Sequence, residues 1–358
     1  MNPMYTPILR NRQSEILAVK KLYPEIKELC RPLLDLAAPS RSADVVQAQA
    51  YTERNIIRMG EALRGFRVVL IDSSELDPNI RISGGKHPLF EAARTIANIG
   101  TIPIPVAGIH RDDGHMRSVN SIRRDMSDGL VCFRLDATDI GTATHSSDRL
   151  TELFLKHSIK PSEVILLLDM QSVYAMNSEV LALQVSRFIK RVSSENWNGL
   201  VIAGYGIPDS IPQAVPVRGQ GYIPRVEQEV FFRVLKDNPQ NNIWFGDYTS
   251  LSPAHIEVDW KLIRKIMGPK AIFTLKESWF VARGAPFESH PDGWKQYYSL
   301  AAKIIALEEF PKDSNYSFGD SYIYQRRCSS PIKAGNPGSW ITACVNHHIT
   351  LTANIHKV

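Results

Sequence analysis

The sequence of this protein alternates eight times between a short apolar run and a longer stretch with helical spacing. Most of the short runs are apolar almost throughout, which is typical of parallel strands that are covered on both faces. They occupy residues 6–10, 32–36, 67–72, 101–107, 130–136, 164–169, 200–204 and 243–247. The stretches between them, such as 179–192 and 226–235, place apolar residues three or four positions apart, as amphipathic helices do. This repeated strand–helix unit is the strongest constraint on the fold.

Parallel strands joined by helices form either an open doubly wound sheet or a closed barrel. Eight units over roughly 250 residues is the usual size of a (β/α)8 barrel. A dinucleotide-binding sheet would be supported by a glycine-rich turn after the first strand, but the residues there (10–13) are RNRQ. We therefore predict a TIM-like (β/α)8 barrel over residues 1–270. Pro103 and Pro105 weaken the prediction of the fourth strand, because each removes a backbone donor.

The alternation changes after about residue 250, and we predict that residues 271–358 form a C-terminal extension packed on the barrel. Residues 271–275 are strand-like, residues 293–307 are helix-like, and residues 349–355 are β-like. Adjacent side chains on a strand point to opposite faces. At most one of His347 and His348 is therefore expected to face a site.

Composition limits the location and the partners. No apolar run approaches the roughly 20 residues that a membrane helix needs, and the first residues, MNPMYTPILRN, lack the apolar core of a signal peptide. The cysteines Cys30, Cys132, Cys328 and Cys344 have no paired spacing, so reduced, unligated thiols and a cytoplasmic location are expected. The net charge of +5 is mildly basic and only weakly suggests nucleic-acid binding.

In a barrel, functional side chains lie at the carboxyl ends of the strands. Five predicted strands end at or near an aspartate, namely Asp35, Asp72, Asp136, Asp169 and Asp247. Clustered carboxylates raise each other's pKa and can share a proton or hold a hard cation, so a divalent metal is one candidate cofactor. Aspartate is also a favoured helix N-cap, and for Asp35 and Asp139 helix capping fits as readily as a functional role. Asp72, Asp169 and Asp247 directly end strongly apolar runs, and we predict that these three are catalytic and share one cleft.

Other side chains near the predicted strand ends and in the C-terminal part are candidates for binding a ligand. They are Arg10, Arg134, Asp136, Tyr248, Arg283 and His347. Guanidinium groups stay charged and bind carboxylate or phosphate through two donors. Arg10, Arg134 and Arg283 are therefore expected to hold anionic groups, although Arg283 would serve equally in a structural ion pair with an aspartate.

Short motifs along almost the whole chain resemble the "beta protein" family of phages and bacteria. The motifs are YTPILR (5–10) with Glu15 and Lys20, RPLLD (31–35), Leu168-Asp169, FGDY (245–248), Trp279 with Arg283-Gly284, Phe318-Gly319-Asp320, and Trp340 followed by NHH (346–348). The resemblance implies a barrel-like fold. Because members occur among phage and mobile-element genes, it also implies a role in phage–host conflict. It implies no catalytic residue.

Two functions fit these observations. The first is a component of a phage–host conflict or anti-phage defence system, with another protein of that system as a partner. Its polar pocket would bind or hydrolyse a phosphorylated ligand, as a phosphodiesterase- or nuclease-like hydrolase does. The alternative is a non-catalytic subunit that binds a protein or a nucleic acid through the same surface. Single aspartate-to-asparagine changes should abolish the first function, whereas only changes across a broad patch should weaken the second.

Overall fold

The computed structural model describes residues 5–192, 196–239, 242–252, 267–313, 315–328 and 332–357. Its strands are β1 (Tyr5–Arg10), β2 (Leu33–Asp35), β3 (Val68–Asp72), β4 (Ile102–Ala107), β5 (Val131–Leu135), β6 (Val164–Ser172), β7 (Gly199–Tyr205), β8 (Gln220–Pro224), β9 (Ile243–Asp247), β10 (Lys270–Thr274) and β11 (Ser278–Arg283). Its helices are α1 (Gln13–Lys20), α2 (Pro24–Glu28), α3 (Val45–Ala62), α4 (Pro88–Ala97), α5 (Asp113–Asp125), α6 (Ala137–Gly141), α7 (Ala143–His157), α8 (Ser178–Val192), α9 (Val226–Asp237), α10 (Gln296–Ile305), α11 (Phe318–Gln325) and α12 (Pro337–Ile355).

Eight of the strands form a closed barrel in the order β1-β2-β3-β4-β5-β6-β7-β9. All neighbours are parallel, and the pairing of β1 with β9 closes the ring. This arrangement confirms the predicted (β/α)8 barrel, and every predicted run overlaps one barrel strand. The three remaining strands form a small antiparallel sheet in the order β10-β11-β8.

The two prolines of β4 are accommodated on one side of the strand. Ile102 donates its N–H to the carbonyl of Arg67 at 3.0 Å, on the side of β3. By alternation, the nitrogens of Pro103 and Pro105 face β5 instead. There β4 pairs with β5 only at its last two residues, while its ladder with β3 is four residues long. The missing donors therefore shorten one ladder and leave the other intact.

Alternation of side chains along the strands divides the core into an inner and an outer part. Inside the barrel lie Ile8, Leu33, Leu70, Val106, Cys132, Leu167, Val201 and Trp244. The residues between them, such as Leu34, Phe133 and Phe245, face outward and pack under the helices. Because the period of a strand is two, a residue's distance from these positions determines which face it occupies. Arg134 and Asp169 lie two residues beyond inner positions, whereas Asp247 lies two residues beyond the outward Phe245.

The C-terminal helix α12 packs on the outside of the barrel beside β1. It packs against α1 and β1, and its Val345 and Ile349 belong to the outer core. Just beyond its end, His356 stacks on Phe245 of β9, with 4.4 Å between the ring centroids. The predicted division at residue 270 stays a prediction, but the last helix lies within the barrel's own helical layer.

The β-like prediction for residues 349–355 is wrong, because these residues continue α12. Asn336 caps the helix by accepting the N–H of Ser339 at 3.0 Å, and Pro337 is the first helical residue. Ile349, Thr350 and Thr352 are buried against the barrel. Burial of this face outweighs the preference of β-branched residues for strands.

Two predictions from composition concern the thiols and membranes. The four cysteines, all of which the structure describes, form no disulfide, and Cys328 is exposed while the other three are buried. That they are unligated stays a prediction. Among the described helices, none is long and apolar enough to cross a membrane.

Candidate functional site

Strand register places a layer of charged side chains at the carboxyl end of the barrel interior. Arg10 of β1 lies beside Asp35 of β2, and Asp35 lies beside Asp72 of β3. Arg134 of β5 and Asp169 of β6 complete this layer above the apolar residues of the inner core. A parallel barrel brings the carboxyl ends of all its strands to one end, so these five residues meet although they are far apart in the sequence.

Arg134 is the centre of this layer. Its Nη1 donates to Asp35 Oδ1 at 2.7 Å and to Asp72 Oδ2 at 3.2 Å. Its Nε donates to Asp169 Oδ2 at 2.9 Å, and its Nη2 donates to the Tyr248 hydroxyl at 2.7 Å. One guanidinium group therefore neutralises parts of three buried carboxylates. Asp35, Asp72, Asp169 and Arg134 form what we call the Arg134 cluster.

Tyr248 fixes the orientation of Asp169. Its hydroxyl accepts from Arg134 and donates to Asp169 Oδ2 at 2.5 Å. Burial raises the pKa of Tyr248 well above its ordinary value, so the hydroxyl keeps its proton and remains a donor. The other oxygen of Asp169 accepts the backbone N–H of Gln171 at 3.0 Å. Both oxygens of Asp169 are thus held by the protein.

Asp72 is held in the same way, and one of its partners, Arg111, was not predicted from the sequence. Its Oδ2 accepts from Arg111 at 2.9 Å as well as from Arg134, and its Oδ1 accepts the N–H of Ser74 at 2.9 Å. Burial alone would raise the pKa of Asp72, but Arg111 and Arg134 hold it below its ordinary value. Arg111 lies in the loop after β4, four residues beyond the strand end, and that position was the only signal that could have identified it.

Asp35 differs from the other two aspartates because only one of its oxygens is engaged. Its side chain is almost fully buried, and Oδ1 accepts from Arg134. Its Oδ2 has no hydrogen-bond partner among the described residues, and Asp35 lines a large cavity. Burial raises the pKa of Asp35 to about 7, with Asp72 and Glu75 adding to the rise and Arg134 opposing it. From the sequence, Asp35 suited helix capping as readily as a functional role.

The cavity opens at the carboxyl end of the barrel and has a volume of about 1010 Å³. Asp35, Arg134, Asp169 and Tyr248 lie among its lining residues, as do Glu75 and Arg111. The apolar part of the lining comes from α6, the end of β6, the loop after it and α8, through Ile140, Met170, Met176, Val180, Leu181 and Val185. A cavity of this size holds a small organic molecule.

Arg10 and Asp136 lie around the cluster without joining it. Arg10 binds Glu75, with Nη2 2.7 Å from Oε1. Asp136 lines the cavity and also caps α6, where its Oδ1 accepts from Thr138 N at 2.8 Å and from Asp139 N at 3.0 Å. The capping alternative considered from the sequence therefore applies to Asp136.

Asp247 does not share the cleft of Asp72 and Asp169, so that part of the prediction is wrong. It faces outward from β9 and is 1% exposed. His348 Nε2 lies 2.9 Å from its Oδ2, the Tyr5 hydroxyl donates to its Oδ1 at 2.7 Å, and Arg225 Nη2 lies 3.3 Å from its Oδ2. Burial alone would raise the pKa of Asp247, but His348 and Arg225 lower it to about 2. This buried ionic group joins the barrel to α12.

His347 and Arg283 also lie outside the cavity lining, contrary to their predicted role at the site. His347 is buried in α12, with Nδ1 3.0 Å from Asp320 Oδ2 and Nε2 2.9 Å from the carbonyl of Thr274. Arg283 ends β11 and donates to the carbonyl of Val215 at 2.6 Å. Because His347 and His348 are on a helix rather than a strand, both are buried and both contact the protein core.

The cluster does not resemble a metal site. Within the described part of the chain, no three His, Cys, Asp or Glu side chains are grouped so that they could hold a metal ion. The guanidinium group of Arg134 occupies the centre of the three carboxylates, which is where a divalent cation would have to lie.

The fold and the site define a (β/α)8-barrel protein with a buried arginine–carboxylate cluster beneath a cavity. The chain belongs to the Beta protein family, whose profile matches residues 5–353. It is 23% identical over 357 residues to "Protein beta" of Enterobacteria phage P4, which covers 97% of this chain and 92% of that protein. The chain is therefore related along nearly its whole length to a phage protein.

Solved structures show weaker likenesses. Triosephosphate isomerase from Bartonella henselae is 14% identical, with 70% of this chain and 94% of that chain covered at a TM-score of 0.36. Lysine/ornithine decarboxylase from Vibrio vulnificus is 11% identical, with 69% and 57% covered at a TM-score of 0.39. Neither likeness bears on function, and the assignment of the barrel rests on the strand order.

Proposed function

We propose that the cavity is the active site of a protein that acts in phage–host conflict in the cytoplasm. In this proposal, Asp35 takes a proton from a water molecule that attacks the ligand and gives that proton to the leaving group, so that one bond of the ligand is hydrolysed. The observation that carries it is the asymmetry of the Arg134 cluster. Asp72 and Asp169 have both oxygens engaged, whereas Asp35 keeps one oxygen without a partner among the described residues in the lining of a cavity of about 1010 Å³.

The proton affinity of Asp35 supports this role. A general acid or base works best when its pKa lies near the working pH, and burial raises the pKa of Asp35 to about 7. Asp72 and Asp169 act in this proposal as positioning residues, because they hold Arg134 and Arg134 in turn holds Asp35. Asp247 has no part in it, since it contacts His348 and Arg225 on the outer side of the barrel.

The phosphorylated ligand expected from the sequence is not part of the proposal. It required Arg10, Arg134 and Arg283 to be available for an anion. Arg134 is bonded to three carboxylates, Arg10 to Glu75, and Arg283 to a backbone carbonyl outside the cavity.

The experiment compares phage plating on cells that express the wild-type chain or one of three variants. Asp35→Asn removes the exchangeable proton while keeping the size of the side chain. Val180→Trp fills the cavity from a half-exposed position on α8, and Leu183→Trp is its matched control on the same helix, outside the lining. Circular dichroism and urea unfolding verify that each variant is folded.

We expect the wild-type chain to change the plating of at least one phage by about tenfold or more. Asp35→Asn and Val180→Trp should abolish this change, and Leu183→Trp should keep it. Loss with Val180→Trp but not with Asp35→Asn would replace the enzyme by a non-catalytic subunit that binds a protein or a nucleic acid. No effect of the wild-type chain on any phage tested would reject the role in phage–host conflict.

A further inference from the structure

We propose that the ligand of the cavity is a small molecule that carries an ammonium or guanidinium group on an aliphatic stem. This inference rests on the proposed active site and adds the chemical class of its ligand. Four features of the site support this ligand class. They are the charges of the lining, the ion pairs of the arginines, the oxygen of Asp35 without a partner among the described residues and the apolar part of the lining.

The first observation is an excess of carboxylates. Among the residues that the structure describes, six carboxylates line the cavity, namely Asp35, Glu75, Asp136, Asp139, Asp169 and Asp209, against Arg111 and Arg134. Adding Asp72 and Arg10, which are bonded to members of this lining, gives seven carboxylates and three guanidinium groups within the described part of the chain. The whole chain has the opposite balance, with 42 Lys and Arg against 37 Asp and Glu. A cleft lined by one sign of charge attracts ligands of the other sign.

The second observation is that the three arginines are engaged by carboxylates of the protein. Arg134 holds the cluster, Arg111 lies 2.9 Å from Asp72, and Arg10 lies 2.7 Å from Glu75. An anionic ligand that bound through these pairs would have to displace the carboxylates and leave them buried without a counter-charge, which is unfavourable. The Nε of Arg111, a buried donor without a hydrogen-bond partner among the described residues, is the exception. A cationic ligand would offset part of the excess negative charge of the lining and would not displace these carboxylates.

The third observation is that one oxygen of the Asp35 side chain is available to the ligand. Asp35 is 3% exposed, and its Oδ2 has no partner among the described residues although Asp35 lines the cavity. An N–H donor of the ligand at this position would supply that partner and would form a charge-assisted hydrogen bond when Asp35 is ionised.

The fourth observation is the apolar part of the cavity lining. Met176 and Val180 are about half exposed in the protein, and both line the cavity together with Leu181 of α8. An aliphatic stem that lies along this part of the lining would remove these side chains from water. The cavity thus offers both acidic groups and an apolar surface to a ligand.

Isothermal titration calorimetry on the full chain tests this proposal with three probes of equal length. The probes are 1,6-diaminohexane, 1,6-hexanediol and adipate, which share a chain of six carbons and end in ammonium, hydroxyl and carboxylate groups. Two variants accompany them. Asp136→Asn removes one charge of the lining and keeps an N-cap, because asparagine caps helices as well as aspartate. Asp112→Asn makes the same change at the N-cap of α5, outside the lining.

We expect the diamine to bind at least about ten times more tightly than the diol or the dicarboxylate. Asp136→Asn should weaken its binding about three- to tenfold, and Asp112→Asn should change it less than about twofold. Equal or absent binding of the three probes, tighter binding of adipate, or equal losses in the two variants would each overturn the ligand class. Such a result would leave the proposed function intact if Asp35→Asn still abolished the effect on phage plating.

Discussion

Arg134 and Asp35 lie 99 residues apart in the sequence, and a hydrogen bond of 2.7 Å joins them inside the barrel. The first is on β5 and the second on β2, so the bond spans the interior between strands that are not neighbours. This contact exists only because the sheet closes on itself. Changes to this contact are therefore expected to alter both the stability of the barrel and the chemistry of the site.

Replacement of Arg134 by methionine should strongly destabilise the protein. The change leaves Asp35, Asp72 and Asp169 buried without their shared counter-charge, and removal of one partner from a buried ion pair costs about 3–5 kcal/mol. Urea unfolding of the wild type and the variant measures this loss. The control is Arg149→Met, which removes an exposed ion pair with Glu152 on α7 and should cost less than about 1 kcal/mol. Similar losses in the two variants would mean that the cluster contributes nothing beyond a surface ion pair.

The stability difference between the wild type and Asp35→Asn should depend on pH. The ordinary pKa of an aspartate, 3.8, is raised to about 7 at Asp35 because the group is buried. Between these values the folded chain keeps a proton that the unfolded chain has released. The free energy of unfolding of the wild type should therefore fall relative to that of the variant as the pH rises from about 4 to 7, by at most about 1.4 kcal/mol per pH unit. Above about pH 8 the difference should be constant.

Urea unfolding at pH 4.5, 6 and 7.5 gives the curves for both proteins. Other buried groups also titrate in this range, and taking the difference between wild type and variant removes their shared contribution. A difference that does not change between pH 4.5 and 7.5 would show that Asp35 is ionised throughout, and the general acid–base role would lose its support.

Two glycine-to-alanine changes should differ in their effect on the free energy of unfolding. A Cβ at Gly319 of α11 would lie 2.1 Å from the carbonyl oxygen of Ala343 in α12, so the two helices could not keep their separation. At Gly141, the last residue of α6, a Cβ would have nothing within 4 Å. We expect Gly319→Ala to cost more than about 2 kcal/mol, in the range of overpacked sites. Gly141→Ala should be neutral or stabilising by up to about 1 kcal/mol. Thermal unfolding measures both changes, and equal effects would contradict the close approach of α11 and α12.

Truncation of Ile349 should show that α12 is part of the barrel. Ile349 is fully buried in the outer core, and Ile349→Ala should lower the free energy of unfolding by about 2–5 kcal/mol in a single transition. Leu155→Ala, at a position of α7 that is 78% exposed, should change it by less than about 0.5 kcal/mol. A separate early transition in the Ile349 variant would show that the C-terminal helix unfolds independently of the barrel.

Sequence patterns were sufficient to predict the positions of the eight strands and the end of the barrel at which charged groups gather. The strands are apolar almost throughout because both faces are buried, and this pattern is local and visible. The same property hides which face each residue occupies. Phe245 and Asp247 of β9 face outward, whereas Trp244 of β9 and Tyr248, the residue after the strand, face inward, so each face carries a large aromatic side chain. The pattern of polar and apolar residues therefore could not show that the side chain of Asp247 points away from the cleft.

By itself, then, the sequence determined the strand–helix order, the barrel and the presence of acidic strand ends. Only the tertiary structure decided which acids meet, that Arg134 lies among Asp35, Asp72 and Asp169, and that Arg111 reaches Asp72 from a loop. It also decided that residues 349–355 are helical, since burial of α12 against β1 and α1 outweighs their local preference. The physical reason is common to all of these. Strand formation depends on neighbouring residues, whereas side-chain partners depend on register and ring closure, which join residues far apart in the chain.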